Sequence, residues 1–149
     1  MKKLLCVLLS AMMLLAMTAR GGKEQTALLT YDASGVAMEY QLEAKGDIVH
    51  TITQTSTIDC SVYTDEQIAM IEESVAQYQA QYDAIDGVTY KAEVSGTNFI
   101  ETIKIDASNE DTLNTLSSLG LLPIEGDSSS VSLEKTVDNL VGQGWVVVE

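Results

Sequence analysis

Histidine occurs once in this chain of 149 residues, at position 50, and cysteine twice, at positions 6 and 60. That scarcity removes whole classes of chemistry. A zinc centre takes three or four ligands at recognisable Cys and His spacings, which His50 and Cys60, the one cysteine beyond the N-terminal apolar run, cannot supply alone. No metal site and no cofactor site is expected. A Ser-His-Asp triad would require His50 to meet a nucleophile and an acid from elsewhere, and no stretch of sequence marks that nucleophile. A lone histidine in a strand is ordinarily a surface or half-buried polar residue. Cys6 lies in the N-terminal apolar run, so removal of that run leaves Cys60 alone and no intramolecular disulfide can form. Cys60 then reads as a buried small hydrophobe, with a reactive or intermolecularly paired thiol as the alternative.

Positive charge is also scarce. Eight Lys and Arg stand against 22 Asp and Glu, a formal charge of −14. From Gly21 onward only Lys23, Lys45, Lys91, Lys104 and Lys135 remain against all the acids, so 5 − 22 gives −17. Such a surface repels phosphate backbones, and nucleic-acid binding, which draws most of its affinity from Lys and Arg on phosphates, is excluded as an expectation. The simplest account of the acidity is solubility of an exported protein.

Long hydrophobic runs are missing too, apart from a short one at the start. Met1-Lys2-Lys3 is followed by an apolar stretch from Leu4 to about Ala19, and then Arg20-Gly21-Gly22. Spanning the hydrocarbon takes roughly 20 apolar residues at helical rise, so this stretch is too short for a comfortable span. Two lysines, a short apolar core and small residues have the layout of an export signal. Ordinary signal peptidase favours small side chains one and three residues before its cut. Cutting after Ala19 puts Met17 in the second of those pockets, a poor fit. A bacterial lipoprotein signal instead ends in an apolar residue, two small residues and a lipid-bearing cysteine, often followed by Gly or Ser. Met17-Thr18-Ala19 and Gly21-Gly22 fit that frame, but Arg20 occupies the cysteine position, and no thioether lipid can form on arginine. The expected organisation is a lipoprotein-like signal peptide over 1–19, a tether over 20–26 and one α+β domain over 27–149. The expected location is the outer face of the cell membrane or the extracellular space, with membrane association only through the N-terminus.

The domain begins with strand-like alternation over 27–34 and 36–44, where Val36, Met38, Tyr40 and Leu42 alternate with Ala37, Glu39, Gln41 and Glu43. Asp32-Ala33-Ser34-Gly35 and Lys45-Gly46-Asp47 are turn material, and 48–60 forms a third strand rich in β-branched residues. Thr64 and Gln67 have the spacing of a capping box opening a helix. Ile68, Ile71, Val75, Tyr78, Tyr82 and Ile85 mark its apolar face, and Gly87 its end. A hairpin follows, with strands over 88–95 and 99–107 and a turn at Gly96-Thr97-Asn98. A short helix capped by Ser108 or Asn109 buries Leu113, Leu116 and Leu119. Leu121-Leu122-Pro123-Ile124 is an apolar connector and 125–130 a polar loop. A last helix capped by Ser132 turns Leu133, Val137, Leu140 and Val141 inward, ends at Gly142 and Gly144, and leads into a strand over 145–148. The fold class is α+β: a mostly antiparallel β-sheet covered on one face by about three helices, in strand-strand-helix units.

Tyr40, Gly46-Asp47-Ile48-Val49 and Gln54, then Tyr82-Asp83-Ala84-Ile85-Asp86-Gly87-Val88, then Glu101-Thr102-Ile103-Lys104-Ile105-Asp106 together resemble the YehR-like family of small bacterial lipoproteins. The resemblance spans nearly the whole chain after the leader, and the leader itself has the lipoprotein style. It implies a membrane-tethered, extracytoplasmic α+β domain whose function is not established, and it supplies no catalytic residues. Arg20 departs from it at the position of the lipid-bearing cysteine.

Other candidate sites are weaker. Asp106, Ser108, Asn109, Glu110 and Asp111 form the densest cluster of oxygen ligands, but the spacing lacks the EF-hand pattern and its central glycine. Carboxylates at a helix N-terminus, where the dipole favours them, account for the same residues. Glu72-Glu73 and Glu110-Asp111 are adjacent on helices and point apart, unlike a glycosidase pair. Tyr78 and Tyr82 lie on the apolar helix face and read as core. Tyr31, Tyr40, Tyr63 and Tyr90 are the one proposed binding patch, placed on the open face that a one-sided sheet leaves to water. Two functions remain: a non-enzymatic envelope module that engages an unknown protein, peptide or cell-wall ligand, or a hydrolase with an unrecognised site involving His50 or Cys60.

Overall fold

Period-two alternation folds the first part of the chain into three consecutive antiparallel strands, β1 (Glu24–Ala33), β2 (Val36–Lys45) and β3 (Ile48–Asp59). The computed structural model describes residues 22–121 and 129–148. The β1–β2 turn shows how tightly the sequence sets the register. Ser34 and Gly35 both take positive φ, 56° and 82°, which is the two-residue turn whose twist matches a hairpin. Ala33 consequently pairs with Val36, and the ladder runs out to Glu24 opposite Lys45.

Helix α1 (Asp65–Asp83) opens with the capping box in place: Gln67 N donates to Thr64 Oγ1 at 3.3 Å and Thr64 N to Gln67 Oε1 at 3.0 Å. There follow β4 (Val88–Ser95), β5 (Asn98–Asp106), α2 (Glu110–Ser118), β6 (Val131–Ser132), α3 (Leu133–Gly142) and β7 (Val146–Val147). All the strand pairs are antiparallel, in the order β4-β5-β3-β2-β1-β7. Beyond the point where β5 leaves β3, β6 takes over the edge at Ile48 and Val49.

One face of this sheet carries the core. Register places Leu29, Tyr40, Gln54, Ile103 and Tyr90 in one row, and Ala27, Leu42, Ile52 and Ile105 in the next. Tyr82 of α1, Leu113 and Leu116 of α2, Leu133 and Leu140 of α3, and Trp145 join that face in a single buried cluster. Leu29, Leu42, Ile52, Ile105, Leu113 and Leu116 are fully enclosed, each contributing about 1.5–3 kcal/mol by leaving water. The opposite face holds Thr51, Thr53, Thr55 and Thr57 of β3, all half-buried.

The architecture is the expected one: an antiparallel sheet with its helices on one face. Several local expectations are corrected. The first strand begins before residue 27, because Glu24, Gln25 and Thr26 already pair with Lys45, Ala44 and Glu43. Helix α1 ends at Asp83 with Ala84 as its cap, and Gly87 instead makes the turn into β4. Tyr78, Leu119 and Val141 are about half exposed, at 49, 51 and 47%, since α1 rests on the sheet mainly through its C-terminal turn and the ends of α2 and α3 project past it. The apolar connector from Leu122 and the polar loop to Asp127 and Ser128 lie outside the described residues.

Candidate functional site

Two depressions bring polar side chains together. The first begins at an irregularity in β3. Glu43 pairs with Thr51 and Ala44 with Val49, so His50 is an extra residue with no partner on β2. Such a bulge re-aims its side chain. The imidazole reaches Thr51 Oγ1 at 3.0 Å through Nδ1 and Glu24 Oε2 at 3.0 Å through Nε2. His50, Thr51, Thr89, Lys104, Asp106 and Ser108 line a groove of about 500 Å³ together with Gly87, Val88 and Ile105. The imidazole therefore bridges a carboxylate and a hydroxyl, but in the open: the His50 side chain is 36% and that of Glu24 71% exposed, unlike the buried acid of a catalytic triad.

The second is a cleft of about 280 Å³ between α1 and the core-bearing face of the sheet, lined by Gln54, Tyr78, Tyr82, Glu101, Ile103, Ile105 and Leu121. Gln54 and Glu101 are polar residues on strand positions that point inward. Each is held by a tyrosine: Tyr40 Oη donates to Gln54 Oε1 at 2.8 Å and Tyr90 Oη to Glu101 Oε1 at 2.7 Å. The Tyr82 ring stacks on Tyr90 with centroids 5.2 Å apart and planes 9° from parallel. Burial, reinforced by the Glu101 hydrogen bond and charge, pushes the Tyr90 hydroxyl well above the ordinary tyrosine range. Burial first, and then the Tyr82 hydroxyl nearby, does the same for Tyr40. Tyr82 shifts upward by burial and by the charge of Glu101. All three hydroxyls therefore stay protonated, so those of Tyr40 and Tyr90 remain donors.

The residues singled out from the sequence are dispersed. Cys60 is buried, and its thiol makes only a weak contact to Ile58 O at 3.7 Å. It follows the far end of β3, ten residues and roughly 30 Å of extended chain from His50. The two cannot share a site. Asn109 Oδ1 accepts from the amides of Asp111 and Thr112 and so caps α2, while Asp106 Oδ1 accepts from the amide and hydroxyl of Ser108 in the turn before it. Among the described residues no three His, Cys, Asp or Glu side chains converge on a point that could hold a metal ion.

The proposed tyrosine patch on the open face is not there. Tyr40 and Tyr90 are 4 and 3% exposed on the helix-covered face, Tyr31 packs on Trp145 on the same face, and Tyr63 lies in the loop before α1. Arg20 lies outside the described residues. The residues missed were Gln54 and Glu101. Their signal was available: a polar side chain at the same parity as Ile52 or Ile103 in an otherwise apolar row.

A family model described as a protein of unknown function, DUF1307, matches residues 25–146. The chain belongs to this family. The chain is also similar to an uncharacterised lipoprotein of Listeria monocytogenes, 28% identical over 152 residues that cover 97% of this chain and 95% of that one. The solved structure of the YehR protein of Escherichia coli superposes with a TM-score of 0.64 at 21% identity, over 87% of this chain and 94% of that one. A protein from Streptococcus pneumoniae TIGR4 superposes with a TM-score of 0.57 at 13% identity, over 99% of each chain. The two structures show a shared fold. With the family match and the lipoprotein relative they make this a YehR-like, lipoprotein-like domain.

Proposed function

We propose that the chain is a non-enzymatic binding module, exported to the outer face of the cell membrane or the extracellular space. The cleft at Gln54 and Glu101 is the observation that carries this reading. Its polar groups are fixed in place by tyrosine hydroxyls that burial keeps protonated, a rigid surface suited to recognition. Proton transfer would call for groups poised near neutral pH, the opposite of what burial does to these tyrosines. The relative's lipoprotein name and the leader's layout support the location.

Crosslinking in intact cells tests the reading. A partner captured by the wild type is retained by His50→Ala and Cys60→Ser and lost when Glu101 or Tyr78 is changed. A turnover activity abolished by either of the first two variants would establish the enzyme instead. The anchor is tested by intact mass: an increase matching diacylglycerol in Arg20→Cys, absent from the wild type, is the expected result.

A further inference from the structure

The cleft between α1 and the sheet is anionic and aromatic at once. Glu101 is half-buried in it, and one carboxylate oxygen accepts from Tyr90. Among the described residues no cation reaches that carboxylate, and the one ion pair is His50 with Glu24. Lys91 and Lys104 flank Glu101 in space but belong to the other face, since Lys104 pairs with Thr53 and Lys91 with Thr102 on the threonine-bearing side. A half-buried carboxylate without a countercharge, one of its oxygens held by Tyr90, is a favourable place for an incoming cation.

The neighbouring surfaces narrow the kind of cation. Tyr78 is half exposed at the cleft and Tyr82 lies beside it with its ring stacked on Tyr90, and tyrosine faces attract cations. Ile103, Ile105 and Leu121 supply apolar lining, which suits alkyl groups. Calcium or magnesium would take six or more oxygens, whereas Glu101 is the one carboxylate among the lining residues. The volume of about 280 Å³ is at the small end for ligand sites, the size of a head group. The surrounding charge of −17 (five lysines, 22 acids beyond Gly21) favours cations at long range and opposes anions.

We propose that this cleft binds a small organic ammonium cation, with Glu101 as its counter-ion and the rings of Tyr78 and Tyr82 as its aromatic walls. The proposal rests on the binding-module reading and names the ligand class for that site. A primary ammonium would also donate hydrogen bonds to Glu101. A quaternary one would rely on charge and ring contact alone.

An NMR titration of the full processed chain with n-butylammonium and with tetramethylammonium, at constant ionic strength, tests it. Both cations produce saturable shifts at Gln54, Tyr78, Tyr82 and Glu101. Glu101→Gln, which keeps an acceptor for Tyr90, weakens both by roughly tenfold, and Tyr78→Leu at its half-exposed position weakens tetramethylammonium more than Tyr78→Phe does. Shifts of equal size with n-butanol would show a merely apolar cavity and overturn the proposal while leaving the binding-module reading intact. Unchanged affinity in a folded Glu101→Gln, shifts reproduced by potassium chloride, or no saturable shift with either cation would also overturn it. Crosslinking, which does not depend on ligand charge, judges the underlying reading separately.

Discussion

Ser132 donates its hydroxyl to Asp47 Oδ2 at 2.7 Å across 85 residues of sequence, while its own oxygen accepts from Lys135 N at 3.2 Å. Asp47 Oδ1 takes the amide of Glu134 at 2.9 Å, and its backbone carbonyl the amide of Leu133 at 2.8 Å. Three of the amides that open α3 are therefore satisfied, two of them by a residue in the β2–β3 turn. A helix start that a local serine could cap alone becomes a tertiary clasp that closes β6 onto the start of β3.

Replacing Asp47 with alanine should destabilise the fold by about 1–2 kcal/mol, the usual cost of a lost cap with its partners left exposed to water. Urea denaturation followed by circular dichroism measures this. Ser132→Ala should lose a similar amount, and the double variant less than the sum, because both changes remove the same bond. Strict additivity would mean that the clasp contributes nothing beyond its separate halves.

The same carboxylate gives a pH dependence with a defined sign. The Glu134 amide, then the Ser132 hydroxyl, with help from the charge of Lys135, hold the Asp47 carboxyl below its ordinary value of 3.8. A folded-state value lower than the unfolded one means that the unfolded chain binds the proton more readily. Asp47 therefore contributes its full stabilisation above the ordinary value and loses it as pH falls through the lower, folded value. The stability gap between wild type and Asp47→Asn should stay constant from neutral pH down to that ordinary value and shrink below it. A gap that narrows near neutrality instead would assign the effect to another group. The site is open to solvent, so added salt should reduce the Lys135 part of the effect.

How far the sequence specified this architecture differs by level. Alternation and caps are local properties, and Thr64, Gln67, Asn109 and Ser132 all perform the capping that their spacing implies. The fold class followed from them. Which face of the sheet the helices cover is a long-range outcome. Tyr31, Tyr40 and Tyr90 alternate in step with Leu29, Leu42 and Ile103, so their burial follows once that parity is taken as the core side. The bulge at His50 and the clasp at Asp47 are invisible to periodicity, because one inserts a single residue and the other joins segments 85 positions apart. Gln54 and Glu101 are misread for a related reason: a polar residue is taken as solvated unless a partner is known, and their partners, Tyr40 and Tyr90, are on neighbouring strands.

Gly87 offers a sharper test of the packing between α2 and the β4 turn. Its φ is +79°, and a Cβ there would lie 2.6 Å from Thr112 Oγ1, the hydroxyl that donates to Asp86 O at 2.8 Å. Gly35 has a similar φ of +82° with nothing within 4 Å of such a Cβ. Gly35→Ala should then cost only the left-handed backbone penalty, about 1 kcal/mol. Gly87→Ala carries that penalty together with a displaced, buried threonine hydroxyl, for a total of roughly 2–4 kcal/mol. Thermal melts of the two variants isolate the contact, and equal losses would show that Thr112 moves aside freely.

Trp145 closes the other end of the sheet and, as the one tryptophan of the chain, reports on it directly. Its ring centroid is 4.7 Å from that of Tyr40 and 5.4 Å from that of Tyr31, and its amide donates to Leu140 O at 3.1 Å. The strand that follows is only Val146–Val147, paired with β1 through Leu29 and Thr30. Two ladder positions cannot hold a terminus by themselves, so the ring carries the attachment. Trp145→Ala should cost about 3–5 kcal/mol, as for other large-to-small aromatic changes in a core, and amide exchange at Val147 and Val148 should rise well beyond that at Ile52. Tyr40→Phe keeps the ring contact and removes only the hydroxyl that holds Gln54. It should cost about 1–3 kcal/mol, the range for one orphaned acceptor, while leaving the native tryptophan emission unchanged. A red-shifted native emission in Tyr40→Phe would instead mean that the hydroxyl's bond to Gln54, rather than ring packing alone, keeps Trp145 in place.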